Sequence, residues 1–271
     1  MKNRPGHLLL LWASVGAAAG SDLTDGWAAI RAYRVDAAME HFEAAARSGA
    51  PAVAREATLG RGVALLARQP VTAGQVDEAR RILTGLVDSG ADDPAQAARF
   101  YLARIAQHHQ EHPDLAEAAR LYRQLIAEHE ESVWAQSALG RLALIQLYAT
   151  GDSASPAQRL AETEKLLAHA HVAQARGELH IVLAEAIFFY RLPAQQALPH
   201  LLAAEPLGGF DRVGRADALL QIAELSRLAG EKTQAAKYYR TFLQENPRDT
   251  ANYTARRHLA EVEGGPMMPP P

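Results

Sequence analysis

Eleven histidines and no cysteine bound the chemistry open to this chain of 271 residues. The densest group is the run QHHQEH, which holds His108, His109 and His112. His108 and His112 are one helical turn apart, the spacing of a two-point zinc grip. Glu111 does not complete H-E-x-x-H, so a metalloprotease helix is excluded. Pro113 ends the helix directly after His112 and splays the pair. A solvated helix end, with imidazole against the C-terminal dipole, accounts for the cluster without a metal. His169 and His171 are two apart and face different directions on a helix.

Other motifs fail on spacing. No G-x-S-x-G elbow occurs. Gly230-Glu231-Lys232-Thr233 has the end of a phosphate loop without its upstream glycine. Gly60-Arg61-Gly62 lacks the third glycine and the preceding strand of a dinucleotide fingerprint. Asp92-Asp93 and Glu130-Glu131 fall at helix ends or in loops with no partner histidine or nucleophile, so solvated charge is expected there. Asn252-Tyr253-Thr254 matches a glycosylation sequon but lies inside a predicted helix. The absence of cysteine removes disulfides, a thiolate-zinc site, a thiol nucleophile and a lipidated cysteine anchor. A net charge of −3 and a pI near 6.4 argue against nucleic-acid binding by bulk positive charge. The expectation is a non-enzyme with no cofactor and no metal.

The elements that would position any such residues are helices. Alanine is the outlier at 56 residues, while aromatics make up only 6% of the chain. Helical periodicity runs from Asp22 to Glu263, broken by Pro and Gly at intervals of ordinary helix length. Aligning the stretches exposes a repeat. One helix of each pair carries a small residue after a bulky aliphatic: Leu59-Gly60, Leu102-Ala103, Leu139-Gly140, Leu183-Ala184 and Ile222-Ala223, with Asp25-Gly26 as a degenerate first copy. The small residues are 34, 43, 37, 44 and 39 apart. The other helix carries a small residue, a large one four later and an apolar one three after that. These sets are Ala38-Phe42-Ala45, Ala79-Leu83-Leu86, Ala118-Tyr122-Leu125, Thr163-Leu167-Ala170, Ala197-Leu201-Ala204 and Ala235-Tyr239-Phe242. Spacings of four and three keep each set on one face. A small residue lets two backbones approach while the neighbour's large side chain fills the gap. One pair cannot bury that face alone, so neighbours must stack.

In these features the chain resembles the tetratricopeptide repeat (TPR) family. The fullest copy is residues 223–247, with Ala223, the turn Gly230, then Ala235, Tyr239, Phe242 and Pro247 at the family's spacing. Trp134 and Leu139-Gly140 carry the resemblance in another copy. It implies an all-α, right-handed TPR-like α-solenoid of about six helix-turn-helix repeats over residues 21–263. Residues 248–262 read as a C-terminal capping helix. Residues 264–271 (GGPMMPPP) read as a disordered Gly/Pro-rich tail.

The resemblance also implies that the first helices line a concave groove that binds protein or peptide partners. The residues just after the small positions would face it: Trp27, Arg61, Arg104, Arg141, Glu185 and Glu224. Phe100, Gln107, His108, Trp134, Leu144 and Ile145 fall nearby on the same face. Phe188 and Phe189 fall there too, but periodicity assigns them to the core. Three arginines followed by two glutamates give a positive stripe and then a negative one. Arginine beside aromatics favours carboxylates and extended peptides. With 24 Arg against 4 Lys, the alternative is that each arginine pairs with an acid on the next repeat. The chaperone-tail carboxylate clamp is not expected, because the matching positions hold Arg, Ala, Leu and Ser with no Asn.

Residues 1–20 read as a cleaved signal peptide: Lys2 and Arg4, an uncharged run from Leu8 to Ala19, then small residues before Ser21-Asp22. The run is shorter than the ~20 residues that span a bilayer. Cleavage would leave 26 basic against 31 acidic residues, a charge of −5. The expectation is therefore an exported interaction scaffold of the cell envelope, periplasmic in a Gram-negative source and secreted otherwise, with no stable membrane insertion. The alternative is a binding module for a small anionic ligand such as a glycan or peptidoglycan fragment, in a pocket near Arg104, His108 and Arg141. A third option is a homo-oligomer stacked through incomplete caps.

Overall fold

Small residues on one helix and large ones on the next set how these helices can meet. The computed structural model describes residues 21–47, 50–149, 154–210 and 212–265. Among them are thirteen α-helices and no strand: α1 Ser21–Arg31, α2 Val35–Ala46, α3 Pro51–Ala67, α4 Ala73–Asp88, α5 Asp93–His108, α6 Leu115–Glu128, α7 Val133–Tyr148, α8 Pro156–Glu164, α9 Ala173–Phe189, α10 Ala197–Ala204, α11 Arg212–Leu228, α12 Lys232–Glu245 and α13 Asn252–Glu263. Short 3₁₀ turns follow α8 at Lys165–His169 and flank α10 at Ala194–Gln196 and Glu205–Leu207. The order is six helix pairs and one terminal helix, an all-α TPR-like solenoid. The signal-peptide reading of residues 1–20 and residues 266–271 of the tail lie outside the described residues.

The chain divides into two compact units, residues 1–142 and 143–271, with the boundary inside α7. In the first, each helix from α1 to α5 packs on the next, and α1 also meets α3 and α3 meets α5. That is the contact pattern of stacked pairs. In the second, α9 packs on α10, α11 on α12, and α13 on α12.

The small-large-apolar sets form the cores. Ala38, Phe42 and Ala45, Ala79, Leu83 and Leu86, and Ala118, Tyr122 and Leu125 are buried in the first unit. Ala197, Leu201 and Ala204, and Ala235, Tyr239 and Phe242 are buried in the second. The fourth set differs from expectation. Leu166 is buried and Leu167 only half-buried, because α8 gives way to a 3₁₀ turn at Lys165. With about three residues per turn, the position below Thr163 is three residues on rather than four.

Local sequence explains the helix ends. Thr72 and Ser155 form capping boxes with Gln75 and Gln158, and Asp92 and Asp114 accept from the third backbone N–H of their helices. Gly230, at φ 81°, closes α11: its N–H donates to Arg227 O and the Glu231 N–H to Ser226 O. This left-handed stop suits a residue without Cβ. Tyr33 and Arg191 hold the equivalent position after α1 and α9 at φ 57° and 53°, with the same pair of backbone bonds.

Candidate functional site

The small residues behave as spacers. Gly26, Gly60, Ala103, Gly140, Ala184 and Ala223 are all buried. The groove positions expected beside these spacers divide by residue type. Trp27 is only 6% exposed; its ring meets Phe42 edge-on at 5.0 Å, and its indole N–H donates to Glu56 Oε1 at 3.1 Å. Trp134 is 8% exposed and donates to Asp93 Oδ1 at 3.1 Å. Phe100 is 2% exposed and packs among Tyr101, Tyr122 and Trp134. Ile145 is buried as well. These residues were expected on the groove face, and the structure corrects that. Large rings lean back over the preceding helical turn and join the core. Burial raises the carboxyl groups of Glu56 and Asp93, and the indole N–H bonds partly offset it. Asp93 is thus a tie between α5 and α7 rather than plain solvated charge.

Arg61, Arg104 and Arg141 are half-buried on α3, α5 and α7. Other half-buried arginines of the first unit reach carboxylates: Arg55 meets Asp92, Arg68 meets Asp36, Arg80 meets Asp77 and Arg99 meets Glu128. Among the described residues, Arg61 and Arg104 make no such ion pair. The Arg61 charge is felt by Glu78, but both Glu78 oxygens accept from Arg81 at 2.5 and 2.9 Å. The Arg104 guanidinium lies over the Tyr101 ring at 5.9 Å. The Nε atoms of Arg61 and Arg104 are buried without a hydrogen-bond partner. The Nε atoms of Arg68 and Arg99 are likewise without a partner, so it is the missing carboxylate, not the Nε, that sets Arg61 and Arg104 apart.

His108, the last residue of α5, sits in the field of both Arg104 and Arg141. Partial burial, then those two charges, push it down to about 4. It is a neutral imidazole at ordinary pH. At the preceding residue, Tyr122 OH donates to the buried Gln107 Oε1 at 2.9 Å. The helix ends at His108 rather than at Pro113, so His112 lies in the loop and cannot share a helical face with it. A cleft of about 420 Å³ opens beside α3 and α4, lined by Arg55, Thr58, Arg61, Arg81 and Ser89. It involves Arg61, not the Arg104–His108–Arg141 group where a pocket was expected.

The acidic residues separate in the second unit. Glu224 is committed internally: Arg227 donates to its Oε2 at 3.1 and 3.2 Å, and His258 of α13 contacts its Oε1. Burial opposes the Glu224 charge, but bonds from Tyr239, His258 and Arg227 outweigh it and hold the carboxyl below its usual range. Glu224 therefore fastens the terminal helix to α11, and its oxygens are engaged within the chain. Glu185 is exposed and makes no ion pair among the described residues. Desolvation raises its carboxyl. Phe188 and Phe189, expected in the core, are 36% and 64% exposed.

A further polar group had no sequence signal. His200 Nε2 faces Glu164 Oε1 at 3.2 Å, and its Nδ1 faces His180 Nδ1 at 3.0 Å. Two facing Nδ1 atoms can share only one proton, so one ring must accept. Burial, then His200 and Arg176, lower His180. The three residues lie on α8, α9 and α10, which spacing along one helix could not bring together. Among the described residues, no three His, Asp or Glu side chains converge as a metal ion requires. None of the described helices is long and apolar enough to cross a membrane.

Comparison with known proteins agrees with the repeat reading at the C-terminal end. The family model described as Tetratricopeptide repeat matches residues 217–249, which cover most of α11 and all of α12. No curated protein matches the chain.

Proposed function

Taking the chain as a tetratricopeptide repeat protein, we propose that it is a non-enzymatic scaffold that captures an acidic polypeptide segment on Arg61, Arg104 and Arg141. Repeats of this family generally mediate protein–protein interaction. The single observation that carries the finer reading is that Arg61 and Arg104 are half-buried yet reach no carboxylate, while Arg55, Arg68, Arg80 and Arg99 in the same unit do. A guanidinium with unused donors is a ready bidentate site for a carboxylate. His108, kept neutral between two arginines, adds a hydrogen-bonding group that does not repel a second cation.

We place the protein in the cell envelope, after export and removal of residues 1–20. The support is the layout of Lys2, Arg4, the run Leu8 to Ala19 and the small residues before Ser21. Mass spectrometry of the N-terminus of protein recovered from the envelope fraction tests this. An intact Met1 in that fraction contradicts cleavage.

The scaffold reading is tested by capture from envelope extract with residues 21–271 and with an R61E/R104E/R141E variant of matched melting temperature. Retention of a polypeptide by the first and its loss from the second is the expected result. Equal retention by both removes the arginines from the site. The cleft of about 420 Å³ at Arg55, Arg61 and Arg81 favours a second reading, a small anionic ligand. Calorimetric titration with an acidic glycan fragment distinguishes it, since only that reading predicts saturation by a ligand of cleft size.

A further inference from the structure

We propose that the exposed end of α9, where Phe189 packs on Tyr148 with Glu185 one turn before it, binds a cationic side chain, arginine or lysine, of a partner polypeptide. Glu185 and Phe189 are four residues apart and share one helical stripe, with Phe188 beside it. The Tyr148 ring meets Phe189 edge-on at 5.2 Å and stacks on Tyr190 at 6.0 Å with an interplanar angle of 18°. Tyr190 OH donates to the Leu147 carbonyl, which ties the end of α9 to the end of α7. The left-handed Arg191 then turns the chain away. The rings are thus held by one another and by backbone, not left on a loose tail.

Their exposure is unusual for this sequence. Aromatics are 6% of the chain, yet Phe189 and Tyr148, in contact with each other, both open to solvent, and so does the adjacent Phe188. Exposed rings held against each other offer an apolar face to a partner. The charge beside it selects the occupant. Glu185 makes no hydrogen bond or ion pair among the described residues, and partial desolvation by its neighbours raises its carboxyl, with no cation acting to lower it. Its charge is felt by Tyr148, which burial and Glu185 together push up to about 12, so that hydroxyl stays protonated. An apolar partner would cover Glu185 and deepen its desolvation without compensation. An anion would meet both the carboxylate and the negative ring faces. A guanidinium or ammonium satisfies both, lying on a ring face while it pairs with the carboxylate. A neutral sugar can stack on the rings but leaves the Glu185 charge unmatched. The site stands in the second unit and does not depend on the arginines of the first.

The test is a titration of isotope-labelled protein, residues 21–271, with N-acetyl-arginine amide and with its neutral isostere N-acetyl-citrulline amide, followed by the ring resonances of Phe189 and Tyr148. Saturable shifts are expected with arginine, with binding about tenfold weaker for citrulline. E185Q should reduce arginine binding to the citrulline level, and F189A should weaken both. Glu185 and Phe189 lie outside the core, so both variants should keep the melting temperature. Equal shifts with both probes, undiminished arginine binding by E185Q, or a neutral saccharide that shifts the same rings more tightly than arginine would each overturn the proposal. So would the absence of any saturable shift.

Discussion

The Phe42 ring of α2 occupies the space where Gly60 of α3 has no side chain. A Cβ built at Gly60 falls 2.5 Å from Phe42 Cζ, and one at Gly26 falls 2.7 Å from Cε1. One ring therefore wedges between two first helices, and both glycines are needed for it. Gly60→Ala gains about 1 kcal/mol of helix propensity but forces an overlap that costs more, so a net loss of about 1–3 kcal/mol is expected. Gly85 of α4 supplies the opposite sign. A Cβ there meets nothing within 4 Å, so Gly85→Ala should stabilise by about 1 kcal/mol. Urea midpoints of the two variants check this. If Gly60→Ala is neutral, the wedge does not set the spacing of α1 and α3. Phe42→Leu should rescue part of the Gly60→Ala loss, because the two changes share one contact.

Charge reversal separates binding arginines from structural ones. Arg55 donates to both Asp92 oxygens at 2.6 and 2.7 Å and to Ser89 Oγ at 2.8 Å, and so joins α3 to the start of α5. Arg104 has no such partner. Arg55→Ala should lower stability by about 1 kcal/mol or less after solvent screening, whereas Arg104→Glu should leave the melting temperature within a degree or two while weakening partner capture. A large stability loss in Arg104→Glu would mean that the arginine serves the fold instead.

His108 gives the site a pH signature. Its folded value, about 4, lies below the 6.5 of a free histidine. The unfolded chain therefore takes up the proton first, and native stability falls as pH drops from 6.5 towards 4. His108→Gln should flatten that part of the stability curve, measured by denaturant midpoints at successive pH values. A carboxylate of an acidic segment placed against His108 offsets the Arg104 and Arg141 charges and pairs with the imidazolium, which raises His108 against the added burial of the ring. Affinity should then increase on acidification within this window, with net proton uptake. Calorimetry in two buffers of different ionisation enthalpy detects that uptake, and its absence places the segment away from His108.

The stacking of pairs was legible because it depends on residue size at fixed spacing. Gly60 and Phe42 announce their roles by type alone. The Leu166 register was not legible, since the switch from α-helix to 3₁₀ after Glu164 leaves no mark in the spacing. Phe188 and Phe189 misled for another reason. Periodicity says that a face is apolar, not that a neighbour covers it, and α10 has 8 residues against the 17 of α9. Trp27, Phe100 and Trp134 were misplaced because a one-residue offset from a small position fixes the direction of Cβ and not the reach of a ring. Arg61 and Arg104 were singled out by position alone. Their lack of a carboxylate partner is a three-dimensional fact, as is the meeting of Glu164, His200 and His180.

Arg191 carries a strain that sequence inspection passes over. It ends α9 at φ 53°, where the Arg191 N–H donates to Phe188 O at 3.1 Å and the Leu192 N–H to Ile187 O at 3.0 Å. That left-handed stop is filled by glycine after α11 and α13. A Cβ is disfavoured in this region, while glycine adopts it freely and gives back part of the gain through the entropy of the unfolded chain. Arg191→Gly should therefore stabilise by about 0.5–1 kcal/mol, a rise of roughly 1–4 °C in melting temperature for a domain of this size. Arg191→Ala keeps the Cβ and removes the charge, so it should not stabilise. If the alanine variant gains as much as the glycine variant, the benefit comes from removing the arginine side chain, and the turn is not strained.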